Sequence, residues 1–312
     1  MRQTLSVAIC VIVSLVVLAI ATRYVHPHWM LATLHSLQLH AALACVAAML
    51  FALILSRNLL SYALLAASLF LVGHSLYIGR EVASSPTEAE AAGPGFRLMS
   101  FNILSENYEN GAAIAQAIIG SGADIVNIME AEPLLNSLGQ ISETYPYRVG
   151  CGVMVDDCDQ LMLSKVPLRN ATVRSLSGIF DNRFIMAEVT LQGRTIHVGG
   201  IHTTKPYFDN FHTLELMRAA LAVTDTDGPL VLSGDFNASS LAPNMIGFLQ
   251  WTDLRTAAWE QATWPVRAGK FGVPIDHVYV RAPLKIRTLT RMPDALGSNH
   301  DGLIADIVIT GR

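Results

Sequence analysis

The first eighty residues of this 312-residue chain carry almost no charge. Arg2, Arg23, Arg57 and Arg80 are the fixed charges there, and no acidic residue precedes Glu81. The chain as a whole is 52% hydrophobic and 15% charged, which is more apolar than water-soluble proteins are. Because a soluble surface needs polar side chains, the sequence predicts that this part of the chain faces lipid.

Three apolar runs divide this part of the chain, at about residues 5–21, 37–55 and 59–78. Each approaches the ~20 residues that cross a bilayer as a helix, so we predict a transmembrane region of three helices over residues 1–79. An alternative for the first run is a secretory signal peptide, because Arg2 precedes it and Ala19-Ile20-Ala21 resembles a cleavage site. The other two runs would anchor the chain under either interpretation.

The arginines give little guide to orientation, since Arg2 and Arg57 would lie on one side of the membrane and Arg23 and Arg80 on the other. We favour an N-terminus inside the cell, because the short segment that contains Arg2 then needs no translocation. Three spans would place the rest of the chain outside. The sequence therefore predicts a multi-pass protein whose C-terminal part is extracytoplasmic.

Residues 80–95 have a different composition. Their sequence, REVASSPTEAEAAGPG, mixes small residues, acids, proline and glycine without an apolar period, which is typical of a flexible linker. A second domain follows over residues 96–312. It contains 17 basic and 22 acidic residues, so it lacks the strongly basic character of a high-affinity nucleic-acid-binding protein.

Short segments rich in β-branched residues recur through this second domain and predict strands. They lie at 96–104, 124–129, 185–191, 195–201, 230–232, 277–280 and 303–309. Helical spacing of apolar residues occurs between some of them, at 112–119 and 211–223. The pattern predicts a mixed α/β (α+β) domain in which two β-sheets are flanked by helices.

Polar side chains stand repeatedly at the ends of these predicted strands, where they can converge on one cleft. They are Asn102, Glu130, His202, Asp235, Asn237, Asp276 and His300. Each alone has an ordinary explanation, such as an Asx turn or a partly buried histidine. Together they form a set of oxygen and imidazole ligands that suits Mg²⁺ or Mn²⁺ better than a structural zinc ion.

Cys151 and Cys158 lie close together in one polar loop. A disulfide between them would suit an oxidising compartment such as the periplasm. Two free thiols are an equally good interpretation, because sequence spacing alone does not establish bonding geometry.

The order of these motifs resembles the endonuclease/exonuclease/phosphatase superfamily, which includes DNase I-like nucleases, neutral sphingomyelinases and inositol polyphosphate phosphatases. The resemblance covers about two-thirds of the chain. Its motifs are SFNIL with Asn102, DIVNIME with Glu130, GIHTTKP with His202, SGDFNAS with Asp235 and Asn237, PIDHVYV with Asp276, and GSNHDG with His300. The apolar N-terminus, YPYR at 145–148 and LMLSKVPL at 161–168 are similar to bacterial members anchored in the inner membrane.

The resemblance implies a four-layered DNase I-like sandwich, with two packed sheets and helices outside. It also implies a metal-dependent hydrolase of phosphodiester or phosphomonoester bonds, with Mg²⁺ or Mn²⁺ as cofactor. Glu130 and Asn102 would bind the metal. Where the family usually has Ser-Asp-His, this chain has Ser298-Asn299-His300, so Asn299 would offer a neutral oxygen in place of a carboxylate.

The same resemblance implies roles for the catalytic residues. Asp235 would orient or deprotonate the attacking water, and Asn237 would hold Asp235 or the phosphate in position. His300 would donate to the phosphate, with Asp276 behind it fixing the imidazole tautomer. His202 would be a further donor to the phosphoryl group.

Two kinds of partner follow from these expectations. One is a phosphoester substrate, which would be a nucleic acid, a phospholipid headgroup or an inositol phosphate; the other is the lipid bilayer, through the N-terminal helices. The sequence indicates no obligate protein partner. Lys205 and Arg183 are further candidates for phosphate contacts, with a solvated surface position as the alternative. Because Asn299 removes a charge, the alternative function is a catalytically impaired, membrane-anchored module that binds or senses a phosphate ligand.

Overall fold

The computed structural model describes residues 1–311, a helical N-terminal part followed by a mixed domain. The helices are α1 (Arg2–Ala21), α2 (Ala32–Ser36), α3 (Gln38–Leu55), α4 (Leu59–Glu81), α5 (Glu88–Ala91), α6 (Gly111–Gly120), α7 (Leu138–Thr144), α8 (Phe211–Thr224) and α9 (Pro243–Thr252). The strands are β1 (Gly95–Asn102), β2 (Ile125–Met129), β3 (Tyr147–Val149), β4 (Gln160–Ser164), β5 (Arg169–Arg174), β6 (Phe184–Leu191), β7 (Arg194–His202), β8 (Leu230–Asp235), β9 (Asp276–Arg281), β10 (Leu284–Arg291) and β11 (Leu303–Ile309).

Within residues 1–311, three helices, α1, α3 and α4, are long and apolar enough to cross a membrane. They pack together through side chains that include Cys10, Cys45 and Met49. Their outer faces expose large apolar side chains such as Leu15 and Phe70, a pattern that suits contact with lipid. The predicted apolar runs coincide with these helices to within about one turn at each end.

The second domain contains two sheets of mixed direction. One has the strand order β10-β11-β1-β2-β4-β3, and the other has the order β5-β6-β7-β8-β9. The pairs β1–β2 and β7–β8 are parallel, while their other neighbours are antiparallel. Each sheet therefore has a parallel pair near its centre, so that two consecutive strand ends point to the same edge.

Apolar side chains hold these layers together. The inner faces of the two sheets share a core that includes Leu98, Val198 and Val278. Helices α6 and α7 cover the outer face of the first sheet, and α8 and α9 cover the second around Leu216 and Phe236. The order helix, sheet, sheet, helix confirms the predicted four-layered sandwich.

Residues 80–95, predicted to be a flexible linker, are attached to the sandwich along their length. Val82 is buried in the core beside α8 and α9. The N–H of Ser84 donates to the Thr256 carbonyl at 2.8 Å, and Lys285 forms an ion pair with Glu90 at 2.9 Å. A capping box closes the start of α5, where the Thr87 side chain accepts from the Glu90 N–H and the Glu90 side chain accepts in return. These contacts explain why the segment is ordered in spite of its composition.

Candidate active site

The predicted site residues meet because the strands that carry them end at one edge of the sandwich. Asn102 ends β1 opposite Met129 of the parallel strand β2, and Glu130 follows directly. His202 ends β7 opposite Asp235 at the end of β8. The antiparallel strand β9 begins opposite Asp235, with Asp276. Strands from both sheets therefore supply the site.

An amide links the carboxylates of the two sheets. Asn102 donates from Nδ2 to Glu130 Oε1 and to Asp235 Oδ2, both at 3.1 Å. Its side-chain oxygen Oδ1 accepts from the Leu104 N–H at 3.1 Å. The other oxygen of Glu130 accepts from the Ser105 N–H at 2.7 Å. Burial alone would raise the pKa of Glu130, but the hydrogen bonds from Ser105 and Asn102 hold this pKa below its ordinary value.

The backbone turns sharply at two of the site residues. Glu130 has φ 57° and Asn237 has φ 50°, in the left-handed region that non-glycine residues seldom adopt. The Asn237 side chain donates from Nδ2 to the Thr203 carbonyl at 2.8 Å, which ties its loop to the end of β7. Left-handed residues held by such contacts are typical of functional sites.

Asp235 lies at the centre of the cluster and is only 1% exposed. Its Oδ2 is 3.9 Å from Nε2 of both His202 and His300, and its Oδ1 accepts from the Asn237 N–H at 2.8 Å. Burial, followed by repulsion from Asp276, raises the pKa of Asp235 above its ordinary value, although both imidazoles oppose the shift. A carboxylate with raised proton affinity is suited to accept a proton from water.

His300 is paired with Asp276 on the far side of Asp235. The distance from His300 Nδ1 to Asp276 Oδ2 is 2.8 Å. Burial lowers the pKa of His300, but the charges of Asp276 and Asp235 outweigh it and raise this pKa to about 9. The imidazole is therefore protonated at neutral pH and can donate from both ring nitrogens. The Ser298 hydroxyl accepts from the His300 N–H at 3.0 Å and fixes the loop.

Sequence reasoning missed Asp159. This carboxylate is hydrogen-bonded to His202 in the same way as Asp276 is hydrogen-bonded to His300. His202 Nδ1 and Asp159 Oδ1 are 2.8 Å apart, and Arg183 donates to Asp159 Oδ2 at 2.5 Å. Burial opposes ionisation of Asp159, but its bonds to His202 and Arg183 hold its pKa below the ordinary value. The sequence signal for Asp159 was its position as an acidic residue directly after Cys158. Cys158 forms a disulfide with Cys151.

The two basic residues predicted as candidate phosphate contacts, Arg183 and Lys205, occupy different positions. Arg183 is engaged by Asp159 and stacks over the Phe180 ring, with its guanidinium carbon 3.7 Å from the ring centroid. Lys205 is exposed and lines the cleft. Asn299 is also exposed and lines the cleft beside His300. Lys205 is therefore better placed than Arg183 to reach a ligand directly.

Two cavities meet over the cluster. The first has a volume of about 410 Å³ and is lined by Glu130, His202, Asp235, Asn299 and His300, together with residues from the segment that precedes α3. The second has a volume of about 440 Å³ and extends toward Asp159, Phe180 and Arg183. Glu130, His202, Lys205 and Asn237 border both cavities. A ligand group bound at these residues would therefore have space on two sides.

The donor set fits a divalent cation. Among the described residues, four carboxylates, Glu130, Asp159, Asp235 and Asp276, converge here, and the guanidinium of Arg183 is the fixed positive charge paired with them. Oδ1 of Asp276 is buried and has no hydrogen-bond partner within residues 1–311. Surplus negative charge on oxygen ligands suits a hard ion such as Mg²⁺.

The geometry separates two parts of this cluster. Ligand atoms of Asp235, Asp276 and His300 lie within 4.8 Å of one another. The 2.8 Å hydrogen bond between Asp276 and His300 leaves no space for an ion between them, so these two form a hydrogen-bonded pair. Glu130, which has Asn102 beside it and lines the same cavity as Asn299, is the more open place for a metal ion.

Comparison with known proteins agrees with this description. The model of the Endonuclease/Exonuclease/phosphatase family matches residues 99–300. No curated protein sequence matches the chain. Among solved structures, an endonuclease/exonuclease/phosphatase from Beutenbergia cavernae is similar with a TM-score of 0.55 and 15% identity, over 70% of this chain and 72% of that chain.

Two further structures have more specific descriptions. A humanized TDP2 of D. rerio is similar with a TM-score of 0.57 and 14% identity, over 68% of this chain and 98% of that chain. The beta toxin of Staphylococcus aureus, in a crystal structure with bound magnesium ions, has a TM-score of 0.52 and 16% identity, over 68% of this chain and 99% of that chain. These similarities show a shared DNase I-like fold.

Proposed function

The chain belongs to the endonuclease/exonuclease/phosphatase family, and on that premise we propose that it is a membrane-anchored hydrolase of phosphoester bonds that depends on a divalent metal ion. The observation that carries this proposal is the position of Asp235 between His202 and His300, each of which is hydrogen-bonded to a carboxylate of its own. Phosphoester hydrolysis requires one group that accepts a proton from the attacking water and other groups that donate hydrogen bonds to the phosphoryl oxygens. A carboxylate between two imidazoles suits both requirements.

Asp235 is the group that takes the proton of the attacking water. Its burial and the nearby Asp276 raise its proton affinity, and the Asn237 N–H holds its Oδ1 in one orientation. Oδ2 is then directed toward the space between the two imidazoles. Asn237 therefore positions Asp235, and its own side chain stays with the Thr203 carbonyl.

The two histidines are donors to the phosphoryl oxygens. His300 is protonated at neutral pH because Asp276 and Asp235 raise its pKa, and its Nε2 faces the cleft beside Asp235. His202 presents Nε2 to the same space, because Asp159 occupies its Nδ1, and it would donate from Nε2 in its imidazolium form. Donors fixed in advance stabilise charge as it develops on the phosphoryl group.

Glu130 would hold the metal ion, with Asn102 beside it and Asn299 in the lining of the same cavity. When bound, a divalent ion neutralises phosphoryl charge and polarises the phosphorus–oxygen bond. The lowered pKa of Glu130 keeps this carboxylate ionised, as a ligand must be. Asn299 would contribute an oxygen without a charge, which weakens the site relative to one with a second carboxylate.

We also propose that the protein lies in a bacterial inner membrane with the sandwich in the periplasm. The Cys151–Cys158 disulfide supports an oxidising compartment. Protease added to intact spheroplasts should then cleave the sandwich and leave α1, α3 and α4 protected. Cleavage that requires lysis of the spheroplasts would contradict this orientation.

The enzymatic proposal is tested with the full-length chain in detergent. Bis-p-nitrophenyl phosphate, p-nitrophenyl phosphate and single-stranded DNA are supplied with Mg²⁺, Mn²⁺ or EDTA. We expect metal-dependent turnover that falls by about a hundredfold or more in Asp235→Asn and His300→Gln. Asp253→Asn, an exposed aspartate on another surface, is the matched control. A folded protein that leaves every substrate intact would favour the binding or sensor module instead.

A further inference from the structure

The first cavity is completed by the membrane part of the chain. Thr33, Ser36 and Leu37 line it together with Asp235 and His300. Thr33 and Ser36 belong to α2, and Leu37 directly precedes α3, whose first residue begins a candidate membrane span. The first candidate span ends at Tyr24, so residues 25–37 would connect two spans at one surface of a membrane. In a chain whose helices cross the membrane as proposed, the cavity opens where the spans leave the bilayer.

Hydrogen bonds fix this arrangement. The Ser239 N–H and hydroxyl donate to the hydroxyl and the carbonyl of Ser36, at 3.3 and 2.9 Å, and both groups are buried. Arg23 donates to the Leu241 carbonyl at 2.8 Å. Both contacts lie in the loop that follows the catalytic strand β8. Arg23 and Ser36 are therefore bound to the loop that directly follows Asp235.

Part of the cavity lining is apolar and aromatic. Leu37, Leu104, Trp264, Val273 and Ile275 contribute it. Phe271, which is 74% exposed, lies next to the start of α3, because its carbonyl is 3.1 Å from His40 Nε2. Exposed aromatic side chains at the end of a span are typical of the membrane–water interface.

This lining does not suit a nucleic acid. Among the described residues that line the cavity, Lys205 is the fixed cation, whereas Glu106, Glu130 and Asp235 are acidic. Nucleic-acid binding relies on several lysine or arginine contacts to consecutive phosphates. An apolar wall beside a single lysine instead matches a ligand with a single phosphate and a hydrocarbon part.

We infer that the substrate is a phosphodiester of a membrane lipid, and that Thr33, Ser36 and Leu37 form the wall along which its hydrocarbon part reaches the bilayer. This inference rests on the phosphoesterase function proposed above. The phosphate binds where the two cavities meet, and the second cavity, toward Asp159 and Arg183, takes the other substituent. Water adds to phosphorus, the opposite ester bond breaks, and the water proton passes to the departing oxygen, so that an alcohol and a phosphate monoester form.

The test uses the full-length protein reconstituted in vesicles of a bacterial inner-membrane polar lipid extract, with Mg²⁺. Lipid hydrolysis is followed by ³¹P NMR, and bis-p-nitrophenyl phosphate is supplied to the same vesicles as a soluble diester. The variants Leu37→Asp and Thr33→Glu place a carboxylate on the wall. Leu135→Asp, at an exposed leucine that lines neither cavity, is the matched control.

We expect lipid phosphodiester to be consumed by the wild type, and the ratio of lipid to soluble-diester turnover to fall about tenfold in both wall variants but not in the control. The ratio corrects for any loss of folded protein. Turnover of the soluble diester with intact lipid, or an unchanged ratio in the wall variants, would overturn the inference and leave the proposed function standing. If neither substrate is hydrolysed by folded protein, the proposed function itself is wrong.

Discussion

Replacing Asp276 by asparagine is expected to move the basic limit of activity to lower pH. Burial lowers the pKa of His300, but Asp276 and Asp235 raise it to about 9, with a 2.8 Å bond from His300 to Asp276. In the proposed mechanism the protonated imidazole donates to the phosphoryl group, so activity should be present below this pKa and be lost as the pH rises through it. Without the Asp276 charge, the pKa falls toward the ordinary histidine value of about 6.5.

The size of the effect depends on pH. At about pH 8, a pKa of about 9 leaves roughly nine-tenths of His300 protonated, whereas a pKa of about 6.5 leaves roughly 3%. The value of kcat/KM should therefore fall about thirtyfold at that pH. At about pH 6 most of the imidazole is protonated in both proteins, so the loss from this cause should be less than about twofold.

The assay is the pH profile of kcat/KM for bis-p-nitrophenyl phosphate, measured for the wild type, Asp276→Asn and the control Asp253→Asn. The control aspartate is largely exposed and lines neither cavity, so its profile should match that of the wild type. A defect of Asp276→Asn that is equal at every pH would show that Asp276 acts by placing the imidazole. The argument from proton affinity would then be refuted.

Three further changes test the surroundings of the site. Asp159→Asn removes the charged partner of His202 Nδ1 and should lower kcat by about tenfold to a hundredfold. Asp156→Asn, an exposed aspartate three residues earlier, is the control. Equal values of kcat for the two variants would exclude a role for Asp159. Replacing Cys151 and Cys158 by serine opens a loop with a sequence separation of 7. The free energy of unfolding should fall by about 2.5 kcal/mol, measured as a lower denaturation midpoint. An unchanged midpoint would show that the bridge is absent. Asn299→Asp adds a carboxylate to the metal site and should lower the Mg²⁺ concentration for half-maximal activity by about tenfold; an unchanged value would place Asn299 outside that site.

The convergence of the site residues was predictable because strand register imposes it. Asn102, His202, Asp235 and Asp276 each stand at a strand end, and pairing brings these ends to one edge of the sandwich. Alternation of apolar residues is enough to place a strand end to within a few residues. The side chains that follow such strands could therefore be grouped before any contact was known.

Other parts of the fold and of the site depend on interruptions or long-range contacts that the local sequence pattern does not reveal. Strand β10 has apolar residues at Leu284, Ile286 and Leu289, but a bulge between Ile286 and Thr288 interrupts the alternation by which strands are recognised. Asp159 lies between a loop closed by a disulfide and the start of β4, so neither its burial nor its partner His202 follows from spacing. The pairing of an acid with a histidine 43 residues away is a tertiary property.

The attachment of the sandwich to the N-terminal apolar helices also could not be predicted from local sequence pattern. This attachment has a consequence for function. Contacts between Ser36 and Ser239 and between Glu90 and Lys285 join residues 203 and 195 positions apart. A free tether of the length of residues 80–95 would let the domain move over a wide range of heights. Two separate attachments instead fix the position of Asp235 relative to the three long apolar helices. In the membrane arrangement proposed above, the height of this site over the bilayer would therefore be set by the fold and not by the length of a linker, which favours substrates held at that same height.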